Sequence, residues 1–302
     1  MQQARPPEPR TEGAASRPKD EPSVPSPGRP PAKPSATPLN PARLTVGWLA
    51  HWLVSWLVGW WRVLYFGAQI LVLAFSPSSY SQGIRAPLAR HVVQGTAPIL
   101  LWFTLICAVL TLVITRIVVV TALSYGLSQY ALQVIIRVLV LELIPLSAAL
   151  FVALRSTMAS SAELADMRHR GELEAMARQG RDPLVYEAMP RVLGGVFASI
   201  TLAALSCVVA LLLAYVAVYG FTVSAVPAYT RLFGQVFNPA VTLIFVMKTV
   251  FFSLAVALMP MASALHDEAS GGVLHGAELR ALARMFLVIL LIEVVSLVGN
   301  YY

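Results

Sequence analysis

Long apolar runs separated by short polar connections dominate most of this chain. Each run is long enough to cross the hydrocarbon core of a bilayer, which takes about 20 apolar residues in a helix. One run carries no charge at all between Arg191 and Arg231. The pattern predicts an all-α polytopic membrane protein with five transmembrane helices, at about residues 97–124, 128–154, 192–220, 237–264 and 283–301.

The first apolar run, residues 44–75, differs from the others because it is rich in tryptophan. Four tryptophans from Trp48 to Trp60 recur at intervals of four, which places their indoles on one stripe of a helix. Tryptophan favours the membrane interface, since its ring is apolar while its N–H needs a polar partner. With Arg62 in the same run, the pattern favours an N-terminal interfacial helix over the alternative, an ordinary first span.

Residues 1–43 have the composition of a disordered chain. They hold 12 of the 21 prolines and few apolar side chains, so they bury too little surface to offset the entropy lost on ordering. We predict a disordered cytoplasmic tail there, followed by one membrane domain over residues 44–302. The tail is not a cleavable secretion signal, because the first apolar run begins only near Leu44.

Composition and missing motifs exclude several classes of protein. A mean hydropathy of +0.70 with 12% charged residues is outside the range of soluble domains. The net charge of +7 comes from basic residues scattered over tails and loops, so we predict no nucleic-acid partner. The chain has no G-x-x-x-x-G-K-[ST] loop to cradle ATP, and its histidines lack metal-ligand spacing. We therefore predict no catalytic residue, no metal and no cofactor in this chain.

Twelve charged side chains, six basic and six acidic, fall between Arg155 and Arg191, a stretch that we call the charged segment. The connections on the other side of the neighbouring spans, residues 125–128 and 221–236, contain only Arg231 among lysines and arginines. Because positively charged loops stay in the cytoplasm, the charged segment and the N-terminus are predicted to be cytoplasmic, and the C-terminus periplasmic.

Helix signals occur within the charged segment. Ser160-Ser161-Ala162-Glu163 has the form of a capping box, which predicts a helix that starts there and spans about residues 160–179. Leu164 and Leu173 project to opposite sides of a continuous helix. Either the helix breaks near Gly171, or it is continuous and both of its sides contact protein. Asp182 and Pro183 are typical of an N-cap and a first helical position, and predict where the next helix begins.

Five charged residues lie within the predicted spans: Arg116, Arg137, Glu142, Lys248 and Glu293. All except Glu142 lie roughly 15 Å from the predicted periplasmic surface at 1.5 Å per residue, and Glu142 lies deeper. Three cations with one carboxylate would suit the phosphate of a lipid head group, and we treat all five residues as candidate lipid contacts. Alternatively, Glu293 pairs with one basic residue to hold helices together, while the others snorkel or face a dimer interface.

Several motifs resemble those of MlaE/YrbE-type permeases. The matching residues are Glu142, Leu143 and Pro145; Glu163, Met167 and Arg168; Asp182 and Pro183; Pro190 and Arg191; and Lys248, Thr249 and Phe252. Glu293 stands where the family usually has an aspartate. The chain departs from the family at Arg170-Gly171-Glu172, where relatives have Thr-Glu-Gln, and at Leu141 and Ile144, where they have arginine and glycine.

The resemblance implies a function. Such permeases are inner-membrane subunits of bacterial ABC transporters that move phospholipids and maintain outer-membrane lipid asymmetry. It implies as partners a second permease copy, a periplasmic MCE-domain lipid carrier and a cytoplasmic ATP-binding cassette subunit, which binds the ATP and Mg. The charged segment would be the coupling helix that docks on this ATPase, through Glu163, Leu164, Met167, Arg168, Gly171, Glu172, Leu173, Met176, Asp182 and Pro183.

Two other functions fit the sequence less directly. One is an intramembrane lipid-modifying enzyme that uses Glu142 or Glu293, which would turn over lipid without any partner. The other is a membrane scaffold that transports nothing, for which charges inside the membrane have no evident purpose.

Overall fold

A computed structural model describes residues 41–76, 82–266 and 274–301 of the chain. Its contacts separate two units, Met1–His51 and Trp52–Tyr302, and every contact below lies within the second. The described residues form helices and no strand. The α-helices are α1 (Pro41–Phe75), α2 (Gln82–Ser124), α3 (Ser128–Ile135), α4 (Ile144–Val152), α5 (Met158–His169), α6 (Glu172–Arg178), α7 (Met189–Tyr219), α8 (Val226–Val236), α9 (Pro239–His266) and α10 (Leu274–Tyr301).

Six helical stretches of the described residues are long and apolar enough to cross a membrane: Leu57–Phe75, Leu88–Ser124, Tyr130–His169, Leu184–Tyr219, Pro239–His266 and Leu279–Asn300. The predicted class, an all-α polytopic membrane protein, is confirmed. The stretch additional to the five predicted spans, Leu57–Phe75, is the C-terminal part of α1, so its length and hydropathy also suit the alternative of a first span. Its interfacial placement stays a prediction, and the proline-rich tail up to residue 40 lies outside the described residues.

The helix that enters the charged segment does not start at Ser160, and this part of the prediction is wrong. The backbone is helical without interruption from Ser128 to His169, with π-helical segments at Ile136–Leu143 and Ala153–Thr157 joining α3, α4 and α5. A capping box acts only where the preceding chain leaves helical amides free. Here the preceding turn is already helical, and no side chain caps the start of α5.

Two glycines define the turns of the charged segment. Gly171 has a φ of +72° and separates α5 from α6, so of the two alternatives left by the sequence the structure has the break near Gly171. Gly180 has a φ of +76° and follows the end of α6. Both values lie in the left-handed region, where a Cβ is costly, and this favours glycine.

The cap predicted at Asp182 is confirmed. The next helix begins at Pro183, and a carboxylate oxygen of Asp182 accepts a hydrogen bond of 2.9 Å from the Leu184 amide. A third π-helical segment, Leu184–Ala188, then leads into α7. The charged segment is thus a helical hairpin, α5 and α6, followed by the start of α7.

The connection at residues 221–236 is more structured than the short turn expected from the sequence, because it contains α8. Tyr229 of α8 packs edge-on against the rings of Tyr215 and Tyr219 and donates a hydrogen bond of 3.0 Å to the carbonyl of Leu211. Burial beside Tyr219 raises the pKa of Tyr229 to about 12. These contacts fix α8 on the end of α7.

Close helix packing in the body depends on small residues. A Cβ on Gly195 of α7 would lie 2.8 Å from a methyl carbon of Thr157 and 3.3 Å from the Cβ of Ala257. The first distance is too short for a real side-chain atom, so the backbone of α7 at Gly195 packs directly against the side chains of Thr157 and Ala257. This approach positions the residues near Arg191 at one end of the bundle.

Candidate functional site

Three of the five charged residues in the predicted spans meet in one group, which we call the buried charge cluster: Glu142, Lys248 and Glu293. The Lys248 ammonium forms an ion pair with Glu142 and lies 2.8 Å from a carboxylate oxygen of Glu293. Glu142 lies on the first π-helical segment, Lys248 on α9 and Glu293 on α10. The cluster therefore ties three separate helices together.

The buried charge cluster has one cation between two carboxylates. The Lys248 side chain is only 2% exposed, and the two carboxylates are largely buried as well. Asn300 donates a hydrogen bond of 3.4 Å to Glu142, and the ammonium lies 5.6 Å from the centre of the Phe252 ring. With both acids ionised the cluster carries a formal charge of −1, so it does not present a free cation to an anionic ligand.

The structure does not bring the three predicted cations, Arg116, Arg137 and Lys248, together into one positively charged site. Arg116 is exposed on the apolar outer face of α2, and Arg137 is half-buried on the first π-helical segment. Glu142, expected deeper and alone, joins Lys248 instead. The depth estimate assumed ordinary α-helical rise, whereas a π-helical segment fits more residues into the same length. Glu293 pairs with a basic residue, as the structural alternative expected.

The predicted coupling residues divide into an inner and an outer set. Leu164 and Leu173 are buried in one apolar cluster with Phe66, Met189 and Met261, and so attach the hairpin to the membrane body. Met167, Arg168 and Met176 are half-buried, and an Arg168 guanidinium nitrogen donates a hydrogen bond of 3.4 Å to the carbonyl of Ala264. These side chains hold the hairpin in place rather than project from it.

The outer set is charged. Glu163, Glu172 and Asp182 are exposed, whereas Gly171 in the turn and Pro183 at the start of the next helix are half-buried. Arg170 bridges the break between the helices, with contacts of 2.9 Å to Asp166 and 2.8 Å to Glu172. Exposed ion pairs of this kind contribute little stability, so their arrangement mainly gives the hairpin a polar outer surface.

A second charged site, which we call the arginine cavity, lies where α2, α5 and α7 meet. Its volume is about 680 Å³, and its lining includes Arg90, Arg155, Arg191, His91 and Glu163. Sequence reasoning missed this site. The available signal was Gly194-Gly195, a pair of small residues that begins three positions after Arg191 and is typical of close helix packing.

A family model described as Permease MlaE matches residues 88–298. This range includes the buried charge cluster, the helical hairpin and the arginine cavity. No curated protein matches the chain.

Proposed function

The chain belongs to the MlaE permease family, and from that premise we propose that it moves phospholipids between the inner membrane and a periplasmic MCE-type lipid carrier. Membership makes it a membrane permease subunit of an ABC-type transporter, rather than a catalytic enzyme. In our proposal a cytoplasmic ATP-binding cassette subunit supplies the energy, two permease copies form the transport path, and the activity maintains outer-membrane lipid asymmetry.

The observation that carries the proposal is the construction of the helical hairpin. Leu164 and Leu173 are buried against the membrane body, whereas Glu163, Arg170 and Glu172 are exposed. A segment with an apolar inner side and a charged outer side suits a contact that must bind a soluble partner and transmit its movement. We propose that the ATPase binds this outer surface.

Helix α9 provides a route from the hairpin to the membrane interior. Its Met261 packs in the same apolar cluster as Leu164 and Leu173, and its Lys248 forms the centre of the buried charge cluster. Thirteen residues separate the two positions, or roughly 20 Å at 1.5 Å per residue. A displacement of the hairpin on ATP binding would move α9 and change the contacts of Lys248 with Glu142 and Glu293.

The proposed lipid contacts lie outside the buried charge cluster. Arg116 and Arg137 remain the proposed contacts for lipid phosphate, whereas Lys248 is enclosed by two carboxylates. Arg116 is exposed on an apolar face that lipid or a second permease copy would cover. Glu142, Lys248 and Glu293 would act on the path by holding or releasing the helices around it.

Affinity purification from membranes tests the partner assignment. We expect an ATP-binding cassette subunit and phospholipid to co-purify with the chain, and charge reversal by Glu172→Lys to reduce the ATPase recovered at least several-fold. Arg231→Glu reverses an exposed charge on α8, outside the hairpin, and should leave recovery unchanged. Recovery that is equal for both variants would contradict docking on the hairpin.

A transfer assay in liposomes tests transport itself. The permease with its ATPase should move labelled phospholipid only when ATP and Mg are present. The chain alone should leave phospholipid chemically unchanged. Chemical turnover of lipid by the isolated chain would favour the lipid-modifying enzyme instead.

A further inference from the structure

The arginine cavity is separate from the buried charge cluster. Arg155 lies thirteen residues after Glu142 in one continuous helix, which is at most roughly 20 Å at 1.5 Å per residue, because part of this stretch is π-helical. Arg90 lies near the start of the Leu88–Ser124 span, and Arg191 lies near the start of the Leu184–Tyr219 span. The cavity is therefore at the end of the bundle that carries the charged segment, where lipid head groups meet a membrane protein.

The three arginines of the cavity differ in how they are held. Arg191 is 8% exposed, forms an ion pair with Glu187 and lies 3.6 Å from a carboxylate oxygen of Glu163. Its Nε is buried and has no hydrogen-bond partner among the described residues. Arg90 and Arg155 are exposed, and Arg155 makes no ion pair within the part of the chain that the structure describes. The cavity thus combines a fixed guanidinium with two accessible ones.

The charge of the lining favours an anion. Three arginines and Glu163 give a formal charge of +2, and Glu187, which pairs with Arg191, lowers the local sum to +1. Guanidinium groups bind phosphate oxygens through paired, charge-assisted hydrogen bonds. Ser156 and Ser160 add two hydroxyls to the lining. This chemistry differs from that of the buried charge cluster, whose formal charge is negative.

The size of the cavity is set by glycines. Gly95, Gly194 and Gly195 line it, and a Cβ on Gly194 would lie 3.4 Å from backbone atoms of His91. Side chains at these positions would fill the cavity or push the helices apart. The volume of about 680 Å³ is within the range of small-molecule sites and is large enough for a phosphate with its esterified group.

We propose that the arginine cavity binds the phosphate of a phospholipid head group from the membrane leaflet on the side of the charged segment. Arg155 and Arg90 would contact the phosphate oxygens, and the buried Arg191 would contribute its fixed charge. The acyl chains would extend along the apolar outer faces of the helices. The choice of phospholipid as the source of the phosphate rests on the proposed function, whereas the anion site rests on the cavity itself.

Binding to the purified full-length chain in mild detergent tests the proposal. Native mass spectrometry would measure retention of phosphatidylglycerol, with diacylglycerol of the same acyl chains as the ligand without phosphate. We expect phosphatidylglycerol to bind more tightly than diacylglycerol, and Arg155→Gln to weaken its binding about tenfold. Arg178→Gln is the matched control, because Arg178 is exposed on α6 and does not line the cavity. It should bind like the unmodified chain.

The remaining outcomes separate the possible sources of phosphate. Arg155→Lys keeps the charge but loses the paired hydrogen bonds of a guanidinium, so it should bind phosphatidylglycerol more tightly than Arg155→Gln and less tightly than the unmodified chain. Equal retention of phosphatidylglycerol and diacylglycerol, or equal weakening by Arg155→Gln and Arg178→Gln, would overturn the site. Arg155-dependent binding of inorganic phosphate without any preference for phosphatidylglycerol would overturn the lipid assignment. The assay needs neither ATPase nor transport, so its failure is distinguishable from failure of the proposed function.

Discussion

The buried charge cluster and the arginine cavity both bring charged side chains from three helices together, yet their electrostatics are opposite. In the cluster, Lys248 is enclosed by Glu142 and Glu293, and its charge is consumed in holding helices together. In the cavity, only Arg191 is enclosed, while Arg155 and Arg90 stay accessible. A charge paired inside the bundle stabilises an arrangement of helices, whereas an exposed charge at its end is accessible to a ligand.

Replacing Lys248 should have the largest effect. Lys248→Met would leave two neighbouring carboxylates buried without their cation, and breaking a buried pair in this way costs about 3–5 kcal/mol of unfolding free energy. Thermal unfolding in detergent, followed by tryptophan fluorescence, should show a clearly lowered midpoint. The triple variant Lys248→Met, Glu142→Gln, Glu293→Gln removes all three charges and should recover most of the loss. An unchanged unfolding midpoint in Lys248→Met would contradict the role of the buried charge cluster in holding the three helices together.

Replacing Arg191 should have the next largest effect, and it distinguishes the fixed arginine from its neighbours in the cavity. Arg191→Met keeps an apolar side chain of similar length but leaves Glu187 without its ion-pair partner. The Glu187 side chain is 23% exposed. We expect a loss of about 2 kcal/mol in unfolding free energy, less than for Lys248, because water can partly solvate Glu187. The same thermal unfolding experiment measures it. A loss equal to that of Lys248→Met would mean that the cavity is as closed as the cluster.

Neutralising one carboxylate of the buried charge cluster should lower the unfolding free energy by less than replacing Lys248 or Arg191. Glu293→Gln leaves the pair of Lys248 with Glu142 and removes the excess negative charge, so we expect a loss below about 1.5 kcal/mol. Comparison of its unfolding midpoint with that of Lys248→Met separates loss of a contact from creation of an unpaired charge. Equal losses in the two variants would show that the two unpaired carboxylates left by Lys248→Met cost no more stability than the single lost contact in Glu293→Gln.

Replacing the accessible arginine should have the smallest effect on stability. Arg155 is exposed and forms no ion pair with the described residues, so Arg155→Gln should change the unfolding free energy by less than about 0.5 kcal/mol. Unfolding curves that overlay those of the unmodified chain would confirm that any loss of phospholipid binding is local. A marked destabilisation would instead place Arg155 with Arg191 as a structural residue.

Local features of the sequence predicted much of the fold. The spans follow from runs of apolar residues, and the turns at Gly171 and Asp182 follow from residues whose backbone and capping preferences act within a few positions. The capping box at Ser160 failed because the same four residues are compatible with a helix interior once the preceding span is helical. A capping motif therefore predicts a helix start only where the residues before it are not themselves helical.

The two charged sites depend on contacts that no local signal reports. Lys248 and Glu142 are 106 positions apart, and their meeting requires the packing of α9 against the first π-helical segment. The arginine cavity requires three helices to converge near Gly194 and Gly195. The sequence therefore indicated the charged residues of the cluster and, as an alternative, a pair between Glu293 and some basic residue. It did not indicate that Lys248 joins Glu142 to Glu293, nor did it indicate the cavity.

The π-helical segments have a consequence for how this chain tolerates insertions and deletions. A π-bulge is the usual result of placing one extra residue in an α-helix, and each one turns the following side chains by about 100° relative to a regular helix. One such segment, Ile136–Leu143, contains Glu142 of the buried charge cluster. Another, Ala153–Thr157, contains Arg155 of the arginine cavity. Deleting one residue between Glu142 and Arg155 would preserve the helix but rotate Arg155 away from Arg191. Loss of a single codon there would thus change the orientation of Arg155 relative to the buried charge cluster while keeping the span helical.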